Sequence, residues 1–184
     1  MNTFDIRSED IRAITPKMRA GDRVYLTGTV YTARDAAHKK LFELLDAGAP
    51  LPFSLKDAIL YYAGPTPAPE GTPIGSCGPT TSGRMDRFAP RLYDLGVAAT
   101  IGKGERGDEV AQAICRNGAV YLCAVGGAGA LISRHITAAE DIAFPELGCE
   151  AVRRLTVEKL PLIVAIDCSG GDIFKEGRAR YAAV

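Results

Sequence analysis

Arg23-Val-Tyr-Leu-Thr-Gly-Thr-Val30 runs directly into Tyr31-Thr-Ala-Arg-Asp-Ala-Ala-His-Lys-Lys-Leu-Phe-Glu-Leu-Leu45. The first segment is rich in β-branched and aromatic residues and reads as a strand. In the second, Ala37, Leu41, Leu44 and Leu45 recur at helical spacing, which predicts an amphipathic helix. Thr32 and Asp35 fit a Thr-x-x-Asp cap at its start, and Gly48 lies just past its end. Working outward, Ala58–Ala63, Val97–Ile101 and Ala119–Val125 read as further strands, and Ala151–Val157 and Leu162–Ile166 as two late ones. A helix is predicted from Thr81 or Ser82, with Met85, Phe88, Leu92 and Leu95 inward and Pro90 interrupting it. A short helix capped by Asp108 carries Val110, Ala113 and Ile114. Residues 1–20 form a peripheral segment in which Phe4 and Ile6 suggest an edge strand and Ile11, Ile14 and Met18 a helical turn. Strands and helices interleave without strict alternation, so the fold class is mixed α/β and not a clean dinucleotide-binding fold.

The composition agrees. A chain of 184 residues, 47% hydrophobic and 24% charged, has the length of one domain and can bury a core without staples. Lys and Arg number 22, as do Asp and Glu, so no global positive field draws in nucleic acid or a membrane surface. Cys77, Cys115, Cys123, Cys149 and Cys168 are scattered with no CxxC pair, and His38 and His135 are the two histidines. This argues against a disulfide framework and against a metal site built inside the chain. No signal-type stretch opens the sequence. The longest uncharged run, Asn117–Ser133, holds four glycines and falls short of a membrane span. The expectation is a single domain over 1–184, cytoplasmic, in a reducing compartment.

Three cations stand at element ends. Arg34 falls in the first turn of the predicted helix, where a positive charge opposes the helix dipole at a cost of about 0.3–1 kcal/mol. The free N–H groups of that turn favour an anion, so an arginine there makes sense as a grip on a carboxylate or phosphate. It also reads as a surface residue paired with Asp35 or Asp86. His38, one turn on and on the same face, is either a packed residue or a ligand neighbour. Arg84 repeats the arrangement after Gly78-Pro-Thr-Thr-Ser-Gly83, whose hydroxyls and amides suit an oxyanion and also suffice for an ordinary cap. Lys103 stands between two glycines at a strand end, where α/β folds place sites, or is a solvated turn lysine. One small polyanion would use all three, and a dicarboxylate suits them best. The connection 64–79, with five prolines, is long enough to suggest a role. Gly126-Gly-Ala-Gly129 fits tight strand-to-helix packing better than a dinucleotide fingerprint.

Leu26-Thr-Gly-Thr-Val-Tyr-Thr-Ala-Arg-Asp-Ala-Ala-His38, Gly75-Ser-Cys-Gly-Pro-Thr-Thr-Ser-Gly-Arg-Met-Asp86, Ile101-Gly-Lys-Gly104 and Val125-Gly-Gly-Ala-Gly-Ala130 resemble the β component of class I, iron–sulfur-dependent fumarate hydratase. The β subunit of L-tartrate dehydratase shares the pattern. The resemblance implies a swivelling β/β/α domain with a mixed sheet and flanking helices. In that family the unit is either the C-terminal half of a long chain or a separate subunit, and the length and opening Met1 match the latter. An α partner would hold a [4Fe-4S] cluster by three cysteines with one iron open to substrate, in a heterotetramer. An isolated β chain could pair with itself.

The reaction so implied is reversible hydration of fumarate to (S)-malate, a tricarboxylic acid cycle step. The open iron acts as Lewis acid and a base moves the proton at the neighbouring carbon. Carried over by position, Thr81 is the base and Thr80 a hydrogen-bonding partner of the substrate. Arg34, Arg84 and Lys103 clamp its carboxylates, and His38 supports Arg34 or the substrate. Cys77 lines the site, and this chain supplies no metal ligand. L-tartrate dehydratase β subunit is the alternative, followed by a non-catalytic anion-binding or assembly module.

Overall fold

The computed structural model describes residues 1–182. Along them run β1 (Thr3–Arg7), α1 (Ile11–Ile14), β2 (Arg23–Thr32), α2 (Asp35–Asp46), β3 (Ile59–Tyr61), α3 (Ala89–Asp94), β4 (Ala99–Gly102), α4 (Asp108–Arg116), β5 (Val120–Cys123), α5 (Gly129–Ile132), β6 (Ile136–Ala143), β7 (Val152–Ile166) and α6 (Ile173–Tyr181). β2, β3, β4 and β5 lie side by side and parallel. β7 runs antiparallel to β5 on one edge and to β2 on the other, so these strands close into a small mixed barrel. The circuit from Thr32 through Tyr61, Ile101, Leu122 and Val164 returns to β2 beside Asp22, well upstream of its start. A narrow barrel needs such a stagger to close. β1 borders the first half of β2, and β6 the first half of β7.

The apolar strands have two faces to bury. Ile59, Tyr61, Val120 and Leu122 join the cluster that fills the barrel. Their neighbours Leu60, Tyr62 and Tyr121 turn the other way, onto Leu41 of α2, Leu92 of α3 and Ile114 of α4. Alternation with both sides apolar therefore marks a wall between two cores.

Several sequence expectations need correction. The two late strands are one, Val152–Ile166, which continues through a bulge where Glu158 and Lys159 together oppose Thr27. Lys159 takes φ 47° there, and its N–H donates to Thr27 Oγ1 at 3.0 Å. β6 was not expected. Helix α2 begins at Asp35, leaving Arg34 at the cap position, and neither Thr32 nor Asp35 caps it. Glu150, 114 residues on, takes the Ala36 N–H at 2.8 Å instead. Gly107, not Asp108, is the cap of α4. Ser82–Met85 is a 3₁₀ turn, and the chain restarts as α3 with Pro90 in its first turn, where a proline costs no hydrogen bond. Leu95, expected inward, is 43% exposed.

Candidate functional site

The C-terminal ends of β2, β3, β4 and β5 share one end of the sheet, the usual place for a site in such folds. Arg34 leaves β2 in extended conformation (φ −117°, ψ −163°), with its side chain only 20% exposed. Its Nη2 lies 3.4 Å from Glu150 Oε1, its Nε lies 4.0 Å from Asp35 Oδ2, and its Nη1 reaches over Gly64, which follows β3. Arg84 holds the same Asp35 with two nitrogens, Nε to Oδ1 at 3.1 Å and Nη2 to Oδ2 at 2.9 Å. Arg84 thus grips Asp35 in bidentate fashion, and Arg34 stands at the edge of the same carboxylate without hydrogen-bonding it.

The second group forms across the loops after β3 and β4. Thr81 pairs with Lys103 in a one-residue parallel bridge. The Ser82 N–H donates to the Lys103 carbonyl at 2.9 Å and the Lys103 N–H to the Thr80 carbonyl at 3.2 Å. Paired residues project to the same side, so Thr81 and Lys103 face one region. The Lys103 stem crosses Gly126 after β5, close enough that a Cβ there would stand 3.3 Å from Cδ. Thr81 is exposed and Thr80 half-buried. Among the described residues, no other side chain engages either hydroxyl. The 3₁₀ turn from Ser82 to Met85 joins this group along the chain to Arg84, so the structure gives two clusters, Arg34 with Arg84 around Asp35 and Thr81 with Lys103, linked by one short turn.

His38 lies beneath Arg34. It is fully buried, stacked on Phe88 with ring centroids 5.3 Å apart and edge-on to Tyr62. Its Nδ1–H donates to the Arg34 carbonyl at 2.8 Å, and its Nε2 has no partner. Burial pushes its pKa down to about 4, so the ring is neutral and steadies Arg34 from below. Because the folded value lies below the unfolded one near 6.5, the unfolded chain takes the proton first. This contribution is complete above about pH 6.5 and shrinks as pH falls toward 4. The expected loss is about 2 kcal/mol between pH 7.5 and 5, read by urea unfolding, with a shallower pH slope in His38→Phe.

Cys77, expected to line the site, is buried in the core, and burial pushes its thiol up to about 12. Its backbone does the positioning: the Tyr61 hydroxyl donates to its carbonyl at 2.7 Å, and its N–H donates to the Gly129 carbonyl at 3.1 Å. Gly78 and Gly129 touch so closely that a Cβ on Gly129 would stand 3.0 Å from Gly78 N. A cleft of about 600 Å³ is lined by Pro65, Thr66, Ile74, Cys149 and Arg153 among others, but by none of Arg34, Thr80, Thr81, Arg84 and Lys103.

Residues 1–177 match the family described as Fumarase C-terminus. The chain belongs to the fumarase C-terminal family. Within this hydro-lyase family it is 41% identical over 170 residues to the anaerobic class I fumarate hydratase of Escherichia coli, covering 91% of this chain and 31% of that one. It is 40% identical over 166 residues to a Methanocaldococcus jannaschii chain named as an L(+)-tartrate dehydratase subunit beta, covering 87% and 85%. It is 32% identical over 185 residues to the L(+)-tartrate dehydratase subunit beta of Escherichia coli, covering 98% and 89%. The chain spans about a third of the length of the fumarate hydratase and most of each tartrate dehydratase subunit.

The fumarase C-terminal family implies iron–sulfur chemistry, and the residues here do not fit a cluster. Among the described residues no three His, Cys, Asp or Glu side chains gather as metal ligands, and the cysteines are free. No described helix is long and apolar enough to cross a membrane. Sequence reasoning missed Glu150 and Arg106. Arg106 reads as one charge in a polar turn, yet its side chain is fully buried, with Nε donating to Asp86 Oδ1 at 2.7 Å. The second Asp86 oxygen accepts the Gly107 N–H at 2.6 Å, tying the turn that bears Arg84 to the start of α4.

Proposed function

We propose that this chain is the β component of an iron–sulfur hydro-lyase that hydrates fumarate reversibly to (S)-malate. The observation that supports the reading is the register of Thr81 with Lys103, one short turn from Arg84, which shares Asp35 with Arg34. Arg34 and Arg84 bind the carboxylates of the substrate by fork geometry, and Lys103 adds a point charge. Thr81, in register with Lys103, moves the proton at the carbon next to the hydroxylated one, and Thr80 hydrogen-bonds the substrate. A threonine takes that proton only where neighbouring cations favour its alkoxide, and Lys103 is the neighbour that does so. His38 acts through Arg34, whose carbonyl it holds.

In this reading the [4Fe-4S] cluster belongs to an α subunit, and this chain provides no ligand to it. The open character of the site supports such a partner: Thr81 and Arg84 are exposed, and so are Val125 and Leu131 on either side of the Gly126–Gly129 turn. The single domain over 1–184, its swivelling β/β/α arrangement, a heterotetramer, self-pairing when isolated, a cytoplasmic location and a place in the tricarboxylic acid cycle belong to the same reading. Tartrate dehydratase is the second reading. It is favoured by likeness to two tartrate dehydratase subunits over most of their length.

The isolated chain should not hydrate fumarate. Added anaerobically to an iron–sulfur α subunit, it should give turnover on malate and fumarate, with tartrate assayed alongside. Turnover by the chain alone overturns the division of labour. Tartrate as the better substrate selects the second reading. Inactivity on all three leaves the anion-binding or assembly module.

A further inference from the structure

The bridge that sets Thr81 against Lys103 is one residue long, too short to hold its own register. Beneath it lies Tyr121 of β5. The Tyr121 hydroxyl donates to the Gly104 carbonyl at 2.8 Å and lies 2.9 Å from Ser82 Oγ. A phenol has one proton, so with that proton on the carbonyl it accepts from the serine. One atom thereby touches both loops, one residue beyond Thr81 and one beyond Lys103. Space has been left for this contact, since a Cβ on Gly102 would stand 1.9 Å from Ser82 Oγ. Burial raises the Tyr121 pKa, so the hydroxyl keeps its proton. The ring is held in turn by the Arg106 guanidinium, 4.9 Å from its centroid.

We infer that Tyr121 and Ser82 are positioning residues that bolt the Thr80–Arg84 loop to the Lys103 loop and so set the proton-transfer geometry. The catalytic consequence rests on the hydro-lyase reading; the bolt itself does not. Neither side chain reaches the substrate-facing surface, so both act through Thr81 and Lys103.

The test compares Tyr121→Phe and Ser82→Ala with Tyr93→Phe. Tyr93 is an equally buried tyrosine whose hydroxyl meets Thr100 Oγ1 at 2.6 Å and touches neither loop. In the isolated chain, amide exchange at Ser82 and Lys103 should quicken at least about tenfold in the first two variants and stay unchanged in Tyr93→Phe. In the reconstituted pair, kcat should fall roughly 10- to 100-fold with KM little altered, again only in the first two. Should Tyr121→Phe fail to fold, Ser82→Ala carries both measurements. Unchanged exchange at both amides overturns the bolt. Quickened exchange with a kcat no lower than in Tyr93→Phe overturns its catalytic consequence. If the unaltered pair is inactive on all three substrates, the hydro-lyase reading and with it the catalytic consequence fall, while quickened exchange still supports the bolt.

Discussion

Thr81→Ala in the reconstituted pair should lower kcat by about 10²- to 10⁴-fold, the range expected when a general base is removed. KM should change little, because the proposed reading gives the carboxylate grip to Arg34, Arg84 and Lys103. Arg34→Ala and Lys103→Ala should do the reverse, raising KM more than they lower kcat. Thr80→Ala is the informative neighbour. Thr80 is half-buried and outside the Thr81–Lys103 bridge, and in the proposed reading it only hydrogen-bonds the substrate, so its loss should cost less turnover. Steady-state kinetics with gel filtration of each complex measure all four. A larger loss for Thr80→Ala would move the base to that position, and near-normal kinetics throughout would remove the site assignment.

Asp86→Ala should destabilise the fold by about 3–5 kcal/mol, the cost of leaving one member of a buried ion pair alone. The Arg106 side chain is fully buried, its Nε is held by Asp86, and its charge lies over the rings of Tyr62 and Tyr121. Removing the carboxylate strands that charge and also frees the Gly107 N–H. Urea unfolding at neutral pH measures the loss, and a cost under 1 kcal/mol would mean that water or a rearranged side chain reaches Arg106. Arg106→Met, which removes the charge along with the pair, should cost less than Asp86→Ala.

The strand and helix at 23–45 are legible because both carry strong local periodicity, and the places of Arg34 and Lys103 at element ends follow from the same local patterns. Barrel closure is not legible in that way. It depends on β7 pairing with β5 and β2 together, a long-range fact that no local pattern encodes, and Lys159 with Pro161 disguises that strand as two. β6 was missed because Ile136-Thr-Ala-Ala-Glu-Asp-Ile-Ala143 is rich in residues that strands usually avoid. Glu150 and Arg106 were missed for a different reason. A charge reads as solvated until the fold supplies its partner, and here the partners stand 116 and 20 positions away.

The contact between Gly78 and Gly129 has an evolutionary corollary. Two loops separated by some fifty residues meet there backbone to backbone, with Ser76 Oγ packed alongside. A methyl group at Gly129 would press on Ser76 and the Gly78 backbone, and one at Gly78 would stand 3.3 Å from Gly129 Cα, so the two sites should drift as a couple or stay fixed. The proline-studded tip over residues 67–73 is exposed throughout, and its ties are gathered at the base, in Thr66, Gly75, Ser76 and the buried Ile74. Variation in length and chemistry should therefore accumulate at that tip, leaving the cations undisturbed while the rim around them diversifies.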